Sequence, residues 1–160
     1  MSMNIRTATI NDIEQIVPLL IALDELHAKM YPTVFDETKI KEDIRQSFLL
    51  ENINTPNNLF LLAESEKNIV GIVHCYIQET KNHPIKKDKK VAVLSDLYVD
   101  ENYRNKVIAQ KLINKALETI KEIWIVNDVV LNVFNENQEA IKLYEKSGFQ
   151  KQFTRYSISI

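Results

Sequence analysis

The chain of 160 residues contains only two glycines, Gly71 and Gly148, whereas average usage would give about eleven. Glycine reaches positive φ angles and allows close backbone approach, so we expect each of these two positions to serve a particular structural purpose. Any phosphate-binding loop in this chain must then be built from residues that carry side chains.

Cysteine, net charge and long apolar runs are also scarce. The single cysteine, Cys75, excludes an internal disulfide, provides no metal-ligand cluster and suits a reducing compartment. A net charge of −2 argues against a general nucleic-acid binder. No apolar run is long enough to cross a bilayer, and the N-terminus has no basic segment followed by an apolar core. The composition predicts a soluble, cytoplasmic protein of one domain, residues 1–160, with no metal, nucleic-acid or membrane partner.

The first half of the chain begins with a strand pattern and continues with two helix patterns. Residues 4–8 alternate apolar and polar side chains, as a strand does. The helix that follows places these apolar residues on one face: Ile13, Ile16, Val17, Leu20 and Leu23. Pro18 lies inside that pattern, so it either kinks the helix or lies near a later start. A second helix is predicted from about Asp36.

The second half alternates strands and helices. Strands are predicted over 59–64, 69–78, 91–99, 129–134 and 153–160. Helices are predicted over 105–122 and 137–146, and residues 81–90 form a polar, solvated loop. The resulting order, β-α-α-β-β-β-α-β-α-β, indicates an α/β fold with a mixed, mostly antiparallel sheet flanked by helices.

The most informative stretch is residues 94–109, where a strand leads directly into a helix. A helix start presents unpaired N–H groups and the positive end of the helix dipole, which suit a phosphate. The order Arg-x-x-(small)-x-(Gly/Ala), from Arg104 to Ala109, resembles the acyl-CoA pyrophosphate loop of the GNAT family of N-acetyltransferases. On the residues alone, an ordinary helix start with solvated Arg104 and Lys106 is an equal alternative.

Position 107, where GNAT proteins usually have glycine, is Val107. A β-branched side chain fits helical dihedral angles at modest cost, so we expect the Val107 amide to remain a donor while its side chain crowds the phosphate. Ala109 matches the second small position of the motif. The resemblance implies that the pyrophosphate is bound by Arg104, Asn105, Lys106, Val107, Ile108 and Ala109.

A second motif covers residues 137–149. Asn137 is predicted to cap a helix that Gly148 ends in a left-handed conformation, and a capped amphipathic helix accounts for much of this pattern without a ligand. The stretch is similar to the GNAT closing motif, Asn-x-x-Ala-x-x-x-Tyr-(x)₃-Gly-Phe. That resemblance implies that Asn137, Ala140 and Tyr144 contact the cofactor and that Tyr144 protonates the departing CoA thiolate.

The strand at 94–99 supplies the third group of candidates. Its backbone at Leu97, Tyr98 and Val99 is expected to pair with the pantetheine arm of the cofactor. The strand is similar to Leu-Glu-Asp-Leu-Tyr-Val of the diamine-acetyltransferase branch, with Ser95 in place of the glutamate. A base for the acceptor amine is therefore expected to act through water at Ser95 or Asp96. The alternative is that Asp96 only caps or forms a salt bridge.

Four residues between the first two helices form the acceptor side of the cleft in resembling proteins. These predicted substrate-binding residues are Glu25, His27, Tyr31 and Phe35. His74 and Cys75 lie on a strand and are expected to be core or sheet-face residues, because neighbouring side chains on a strand point to opposite faces.

The resemblance implies an enzyme that uses acetyl-CoA to acetylate a primary amine, carried by a small molecule or a peptide, by direct attack in a ternary complex. Val107 and the missing glutamate at Ser95 motivate a second hypothesis, a non-catalytic acyl-CoA-binding or interaction module on the same fold. A purely structural α/β domain is the third, since fold alone does not separate them. A homodimer is the default assembly.

Overall fold

The computed structural model describes residues 3–104 and 107–158, which build one five-stranded sheet with helices on both faces. The strands are β1 Met3–Thr7, β2 Asn58–Ser65, β3 Asn68–Thr80, β4 Lys89–Val99 and β5 Asp128–Val130. The helices are α1 Ile13–Met30, α2 Glu42–Asn52, α3 Ile108–Ile123 and α4 Gln138–Lys146. The strands lie in sequence order, antiparallel from β1 to β4, with β5 parallel to β4.

The sheet separates two apolar clusters, because alternate strand residues point to opposite faces. On one face, which we call the α3 face, strand residues such as Val73 and Leu94 pack against α3, and Leu143 and Tyr144 of α4 join them. On the other, the α1 face, Phe60 and Ile72 pack against α1 and α2. The functional side chains described below come from both faces.

Asp12 fixes the start of α1. Its carboxylate accepts hydrogen bonds from the Thr9 amide at 2.7 Å and from two nitrogens of Arg6 at 2.7 and 2.8 Å. These interactions, with the Arg6 hydrogen bonds the largest contribution, lower the pKa of Asp12 to about 2 although burial acts in the opposite direction. The ionised carboxylate therefore ties β1 to the first turn of the helix.

Two contacts fix α3 against the sheet. A Cβ on Gly71 would lie 3.2 Å from Leu112 Cδ1 and 3.2 Å from the Tyr98 carbonyl oxygen, so glycine at this position lets α3 approach β3 closely. At the other end of the helix, the indole N–H of Trp124 donates a 2.9 Å hydrogen bond to the Pro56 carbonyl. Trp124 is only 8% exposed.

β4 carries a bulge and then separates from β5. His74 pairs with Asp96 and Cys75 pairs with Leu94, so Ser95 is the extra residue. Within the described residues, β4 and β5 pair only over residues 91–93 and 128–130. Beyond the bulge, the edge of β4 that faced β5 is therefore open.

The predicted fold class and the order of elements up to α4 are confirmed. Pro18 lies inside α1, which excludes the later start, and β5 is shorter than predicted. The final strand predicted over 153–160 is wrong for residues 153–158, which form no strand and expose Phe153, Tyr156 and Ile158. An alternating pattern becomes a strand only where a sheet edge pairs with it, and these residues have no such pairing. Residues 159 and 160 lie outside the described residues.

Candidate active site

The open edge of β4 ends at a turn that leads towards α3. The turn is held by Asp100, whose side chain accepts from the Asn102 amide at 2.9 Å. Arg104 folds back on the strand: its Nε donates to the Val99 carbonyl at 3.3 Å, and its guanidinium lies 5.6 Å from the centre of the Tyr98 ring. The turn thus places a positive charge beside the open edge.

Val107 immediately precedes α3 and has φ 61° and ψ 14°, a left-handed conformation. Our expectation of helical dihedral angles was therefore wrong, and the residue has the conformation that glycine adopts without strain. A left-handed residue next to right-handed helical ones turns successive N–H groups to one side, which is the geometry of backbone anion sites. Asn105 and Lys106, also predicted to bind the pyrophosphate, lie outside the described residues. Ile108 and Ala109 form the first turn of α3, with Ile108 buried.

α4 has both of its predicted ends. The side-chain oxygen of Asn137 accepts from the Ala140 amide at 3.1 Å, and Gly148 follows the helix with φ 91°. Tyr144 packs against the α3-face cluster, with its ring edge-on to Phe149 at 5.9 Å. Burial raises the pKa of Tyr144 to about 12, and Asp96 and Cys75 act in the same direction. The phenol is therefore protonated at neutral pH and lies close to the β4 bulge.

On the α1 face, four ionisable side chains form a line that we call the charge chain: Asp24, Arg45, Asp96 and His74. Arg45 binds both oxygens of Asp24, with Nε to Oδ2 at 2.7 Å, and its Nη2 lies 3.9 Å from Asp96 Oδ1. His74 Nδ1 lies 3.2 Å from Asp96 Oδ2. The observed arrangement is thus the salt-bridge alternative for Asp96.

The charge chain sets the ionisation of Asp96. Burial acts to raise its pKa, but the hydrogen bond with His74 and the electrostatic attraction of Arg45, with smaller contributions from the two imidazoles, outweigh burial and lower it. A carboxylate with a lowered pKa holds a proton poorly. The role predicted for Ser95 and Asp96, a base that acts through water, stays a prediction, and the structure places both residues at the bulge.

A cavity of about 490 Å³ opens next to the charge chain on the α1 face. Its lining is polar and aromatic and comes from α2, the start of β2, the end of β3 and the bulge of β4. The residues are Arg45, Phe48, Asn52, Asn57, Asn58, His74, Tyr76, Ile77, Ser95 and Asp96. Asp96 is the one carboxylate in this lining, among the residues that the structure describes.

Three of the four predicted acceptor residues form an aromatic cluster at the end of α1. His27 stacks on Phe35 at 5.3 Å between ring centres, and Tyr31 stacks on Phe134 at 3.8 Å. Phe35 also meets Phe134 edge-on at 6.1 Å. Phe134 follows β5, so the cluster lies on the α1 side of the gap between β4 and β5. The fourth predicted residue, Glu25, is exposed on α1.

Comparison with known proteins identifies the family to which this chain belongs. The family model described as "Acetyltransferase (GNAT) family" matches residues 20–149. The chain belongs to the GNAT family. GNAT proteins are acyltransferases, and the chain is an enzyme of this class.

Individual relatives agree with the family. The chain is 31% identical to an uncharacterised N-acetyltransferase of Bacillus subtilis, over 72% of this chain and 70% of that protein. It is 26% identical to an N-alpha-acetyltransferase of Sulfurisphaera tokodaii, over 92% and 80% of the two chains. A crystal structure of a mutant protein from Bacillus halodurans has the same fold, with a TM-score of 0.83, 22% identity and coverage of 98% and 99%.

Two further observations on this GNAT chain concern metal ions and membranes. In residues 3–104 and 107–158, no group of three or more His, Cys, Asp or Glu side chains is arranged to hold a metal ion. None of the helices within those ranges is long and apolar enough to span a membrane.

Cys75 is buried and burial raises its pKa to about 12, so its thiol is a core group, as predicted.

Sequence reasoning missed Asp24 and Arg45 of the charge chain, Asn58 of the cavity wall, and Phe134 in the aromatic cluster. Arg45 and Asp24 face each other from different helices, and no spacing in the sequence marks that pair. Asn58 is the first residue of β2, and no local pattern marks it as part of a cavity wall. The cross-strand pairing of His74 with Asp96 depends on the bulge at Ser95, which an alternating pattern does not reveal.

Proposed function

We propose that this GNAT protein is an acetyl-CoA-dependent N-acetyltransferase that acetylates a primary amine by direct attack in a ternary complex. The observation that carries the proposal is Tyr144, a protonated phenol held beside the point where β4 leaves β5. A departing thiolate needs a proton, and a phenol kept neutral by burial is suited to supply it. Acetyl-CoA, when bound, supplies the acetyl group as a thioester.

The residues around the gap suit such a ligand. The N-terminal amides of α3, which follow the left-handed Val107, and the charge of Arg104 would hold the pyrophosphate. The open edge of β4 at residues 97–99 offers backbone groups to an extended arm. The side-chain oxygen of Asn137 already caps α4, so its amide nitrogen is the group left for the cofactor.

We place the acceptor amine, from a small molecule or a peptide, in the cavity on the α1 face. Relatives include a protein named spermine/spermidine N(1)-acetyltransferase, 22% identical over 94% of this chain and 89% of that protein. The single carboxylate in the described lining of the cavity, Asp96, supports the recognition of one ammonium group there. A cytoplasmic location and a homodimer remain part of the proposal, and light scattering of the purified protein tests the dimer.

The first experiment incubates the protein with acetyl-CoA and a panel of primary amines and measures the release of free thiol. A thermal shift with CoA accompanies it, because a ligand at about 100 times its Kd adds about 2.7 kcal/mol to the free energy of unfolding. Thiol release that depends on an amine supports the enzyme. A CoA shift without turnover on any amine favours the acyl-CoA-binding module instead, and no shift at millimolar CoA refutes both.

The second experiment replaces Tyr144 with phenylalanine. This keeps the ring and its packing on Phe149 but removes the proton donor, so turnover should fall at least about tenfold while CoA affinity stays nearly the same. Tyr156→Phe is the matched control, because Tyr156 is 90% exposed on the C-terminal segment. If Tyr144→Phe and the control retain the same turnover, the proton comes from elsewhere and the assignment is wrong.

A further inference from the structure

The guanidinium of Arg45 is bound along one edge and unpaired along another. Its Nε donates to Asp24 Oδ2 at 2.7 Å, and its Nη2 donates to Asp24 Oδ1. Nη1 and the remaining N–H of Nη2 form no hydrogen bond with the residues that the structure describes. Two parallel N–H groups of this kind match the two oxygens of a carboxylate. Asp24 thus fixes Arg45 while its outer edge, Nη1 and Nη2, stays available.

Asp96 has one unpaired oxygen beside this edge. Its Oδ2 lies 3.2 Å from His74 Nδ1, whereas Oδ1 accepts no hydrogen bond from the described part of the chain. Oδ1 lies 3.9 Å from Arg45 Nη2, beyond hydrogen-bond distance. Both residues line the cavity of about 490 Å³ on the α1 face. The cavity wall therefore carries a carboxylate oxygen and a guanidinium edge next to each other.

The spacing of these two groups suits a ligand that carries both charges. Covalent geometry holds the ammonium nitrogen of an α-amino acid about 3 Å from its nearer carboxylate oxygen. A charge-assisted hydrogen bond adds about 2.8 Å at each end. Oδ1 of Asp96 and Nη2 of Arg45 are too far apart to bond each other, and they are close enough for one such ligand to contact both.

A second cavity, of about 420 Å³, meets the first at Arg45 and Phe48. It is lined by α1, α2 and the segment that joins them. The carboxylates in its described lining are Asp24 and Asp36, and both have partners. Asp24 is held by Arg45, and Asp36 accepts from the Thr38 amide at 3.0 Å and from the Thr38 hydroxyl at 2.6 Å. Neither carboxylate is open to an ammonium group.

The other charges of the second cavity are positive. Lys39 Nζ lies 3.6 Å from Asp36 Oδ2, whereas Lys41 forms no salt bridge with the residues described. In the described linings of the two cavities, Asp96 is therefore the one carboxylate with an unpaired oxygen. A polyamine would bring a second ammonium group that finds no free carboxylate and lies near Arg45 and Lys41, where like charges repel it.

We propose that the acceptor is an α-amino acid, whose ammonium group binds Asp96 Oδ1 and whose carboxylate binds the outer edge of Arg45. The proposal rests on the proposed function, because the α-nitrogen is the atom that would be acetylated. The C–N bond forms as the C–S bond breaks. Of the two protons that the ammonium loses, one goes to solvent and the other balances the proton that Tyr144 gives to sulfur.

Arg45 is then a specificity-determining residue, because it binds a group that takes no part in the reaction. A peptide N-terminus and an amino-acid amide keep the ammonium group but lack the adjacent carboxylate. Both should therefore be poor acceptors, as should a polyamine. Any preference for the acid over its amide must come from binding, since the amine of the amide loses its proton more readily and is the better nucleophile at neutral pH.

The first test measures binding without acetyl transfer. A thermal-shift screen of the CoA-bound protein against each proteinogenic amino acid identifies the tightest one, and calorimetry compares it with its own amide and with spermidine. The comparison is made at about pH 6.5, where the amines are protonated. The acid should bind at least about tenfold more tightly than the amide. Equal affinities, or no shift with any amino acid, overturn the proposal.

The second test uses variants and compares the same acid and amide. Arg45→Lys keeps a positive charge beside Asp24 but loses the second edge, so it should remove the preference for the acid and leave affinity for the amide nearly unchanged. Asp96→Asn should weaken both ligands, since both carry the ammonium group. Arg155→Lys, at an exposed position in the C-terminal segment, is the matched control and should change neither. A loss of stability alone would affect both ligands equally.

The outcomes separate this proposal from the proposed function. Thiol release that is faster with spermidine or the amide than with the acid overturns the amino-acid acceptor while the acetyltransferase stands. If Arg45→Lys keeps the full preference for the acid, the carboxylate binds elsewhere and the inference fails. A wild type that acetylates no amine refutes the proposed function and the acceptor role with it, whereas the acid-over-amide ratio still tests the pairing with Arg45.

Discussion

Replacing Val107 with glycine should stabilise the protein, although glycine usually weakens a helix. Val107 lies just before α3 with φ 61°, and a β-branched residue at positive φ is strained. Such backbone strain costs on the order of 1–3 kcal/mol. Glycine removes the strain but loses about 0.5–1 kcal/mol through the greater entropy of the unfolded chain. We therefore expect a net gain of about 1 kcal/mol in the free energy of unfolding.

The assay is urea unfolding followed by far-UV circular dichroism, together with thermal melts. In a chain of this length, 1 kcal/mol corresponds to a shift of about 2–4 °C in Tm. Val107→Asn should gain a smaller amount, because asparagine tolerates the left-handed region better than valine. Lys111→Gly, an exposed position within α3, is the matched control and should lose up to about 1 kcal/mol.

The direction of the stability change in Val107→Gly tests the left-handed conformation of residue 107. If Val107→Gly is destabilised as much as Lys111→Gly, the backbone at 107 is helical and the left-handed conformation is wrong. CoA binding to the same variant gives a second result. The Val107 side chain is 59% exposed, so tighter binding after its removal means that it crowds the phosphate. Unchanged affinity means that the amides reach the phosphate past the valine.

Three other substitutions test the fold. Gly148→Ala should destabilise the protein by about 1 kcal/mol through the positive φ of 91° alone, since an added Cβ meets nothing within 4 Å. Gly71→Ala should also destabilise the protein, because the added Cβ crowds Leu112. Urea unfolding measures both changes, and a variant as stable as the wild type contradicts the geometry. The pKa of Asp12 is about 2 in the folded protein, below its ordinary value of 3.8. Its contribution to the free energy of unfolding is therefore complete above pH 3.8 and is lost as the pH falls towards 2. Asp12→Asn should lower stability at neutral pH and flatten this acid dependence, and an unchanged slope of unfolding free energy against pH would show that Asp12 is not the group responsible.

Local patterns predicted the fold as far as α4. The apolar positions of α1 and the cap and stop of α4, Asn137 and Gly148, act over a few residues, and such signals are readable from one sequence. The C-terminal segment was predicted wrongly because a strand also requires a partner edge, which is a property of the folded sheet. Val107 was assigned to a helix because the pattern shows where a helix runs but not which residue before it takes a left-handed turn.

The candidate site was predictable only where a motif carried it. The resemblance at residues 104–109 and 137–149 pointed to the α3 start and Tyr144. The charge chain was not predictable, because its four members come from α1, α2, β3 and β4. They meet only after the sheet and these two helices have packed. The ionisation of Asp96 depends on that line, so sequence alone left it as both a possible base and a possible salt bridge.

The single tryptophan gives this protein an internal optical probe. Trp124 ends α3 in a buried position, with its indole hydrogen-bonded to the Pro56 carbonyl, so unfolding should move its fluorescence emission to longer wavelength. About 24 Å of helix separates it from Val107, so substitutions there leave the chromophore's surroundings intact. Pro56 also adjoins Asn57, part of the cavity wall, so the hydrogen bond that holds the indole lies next to the cavity.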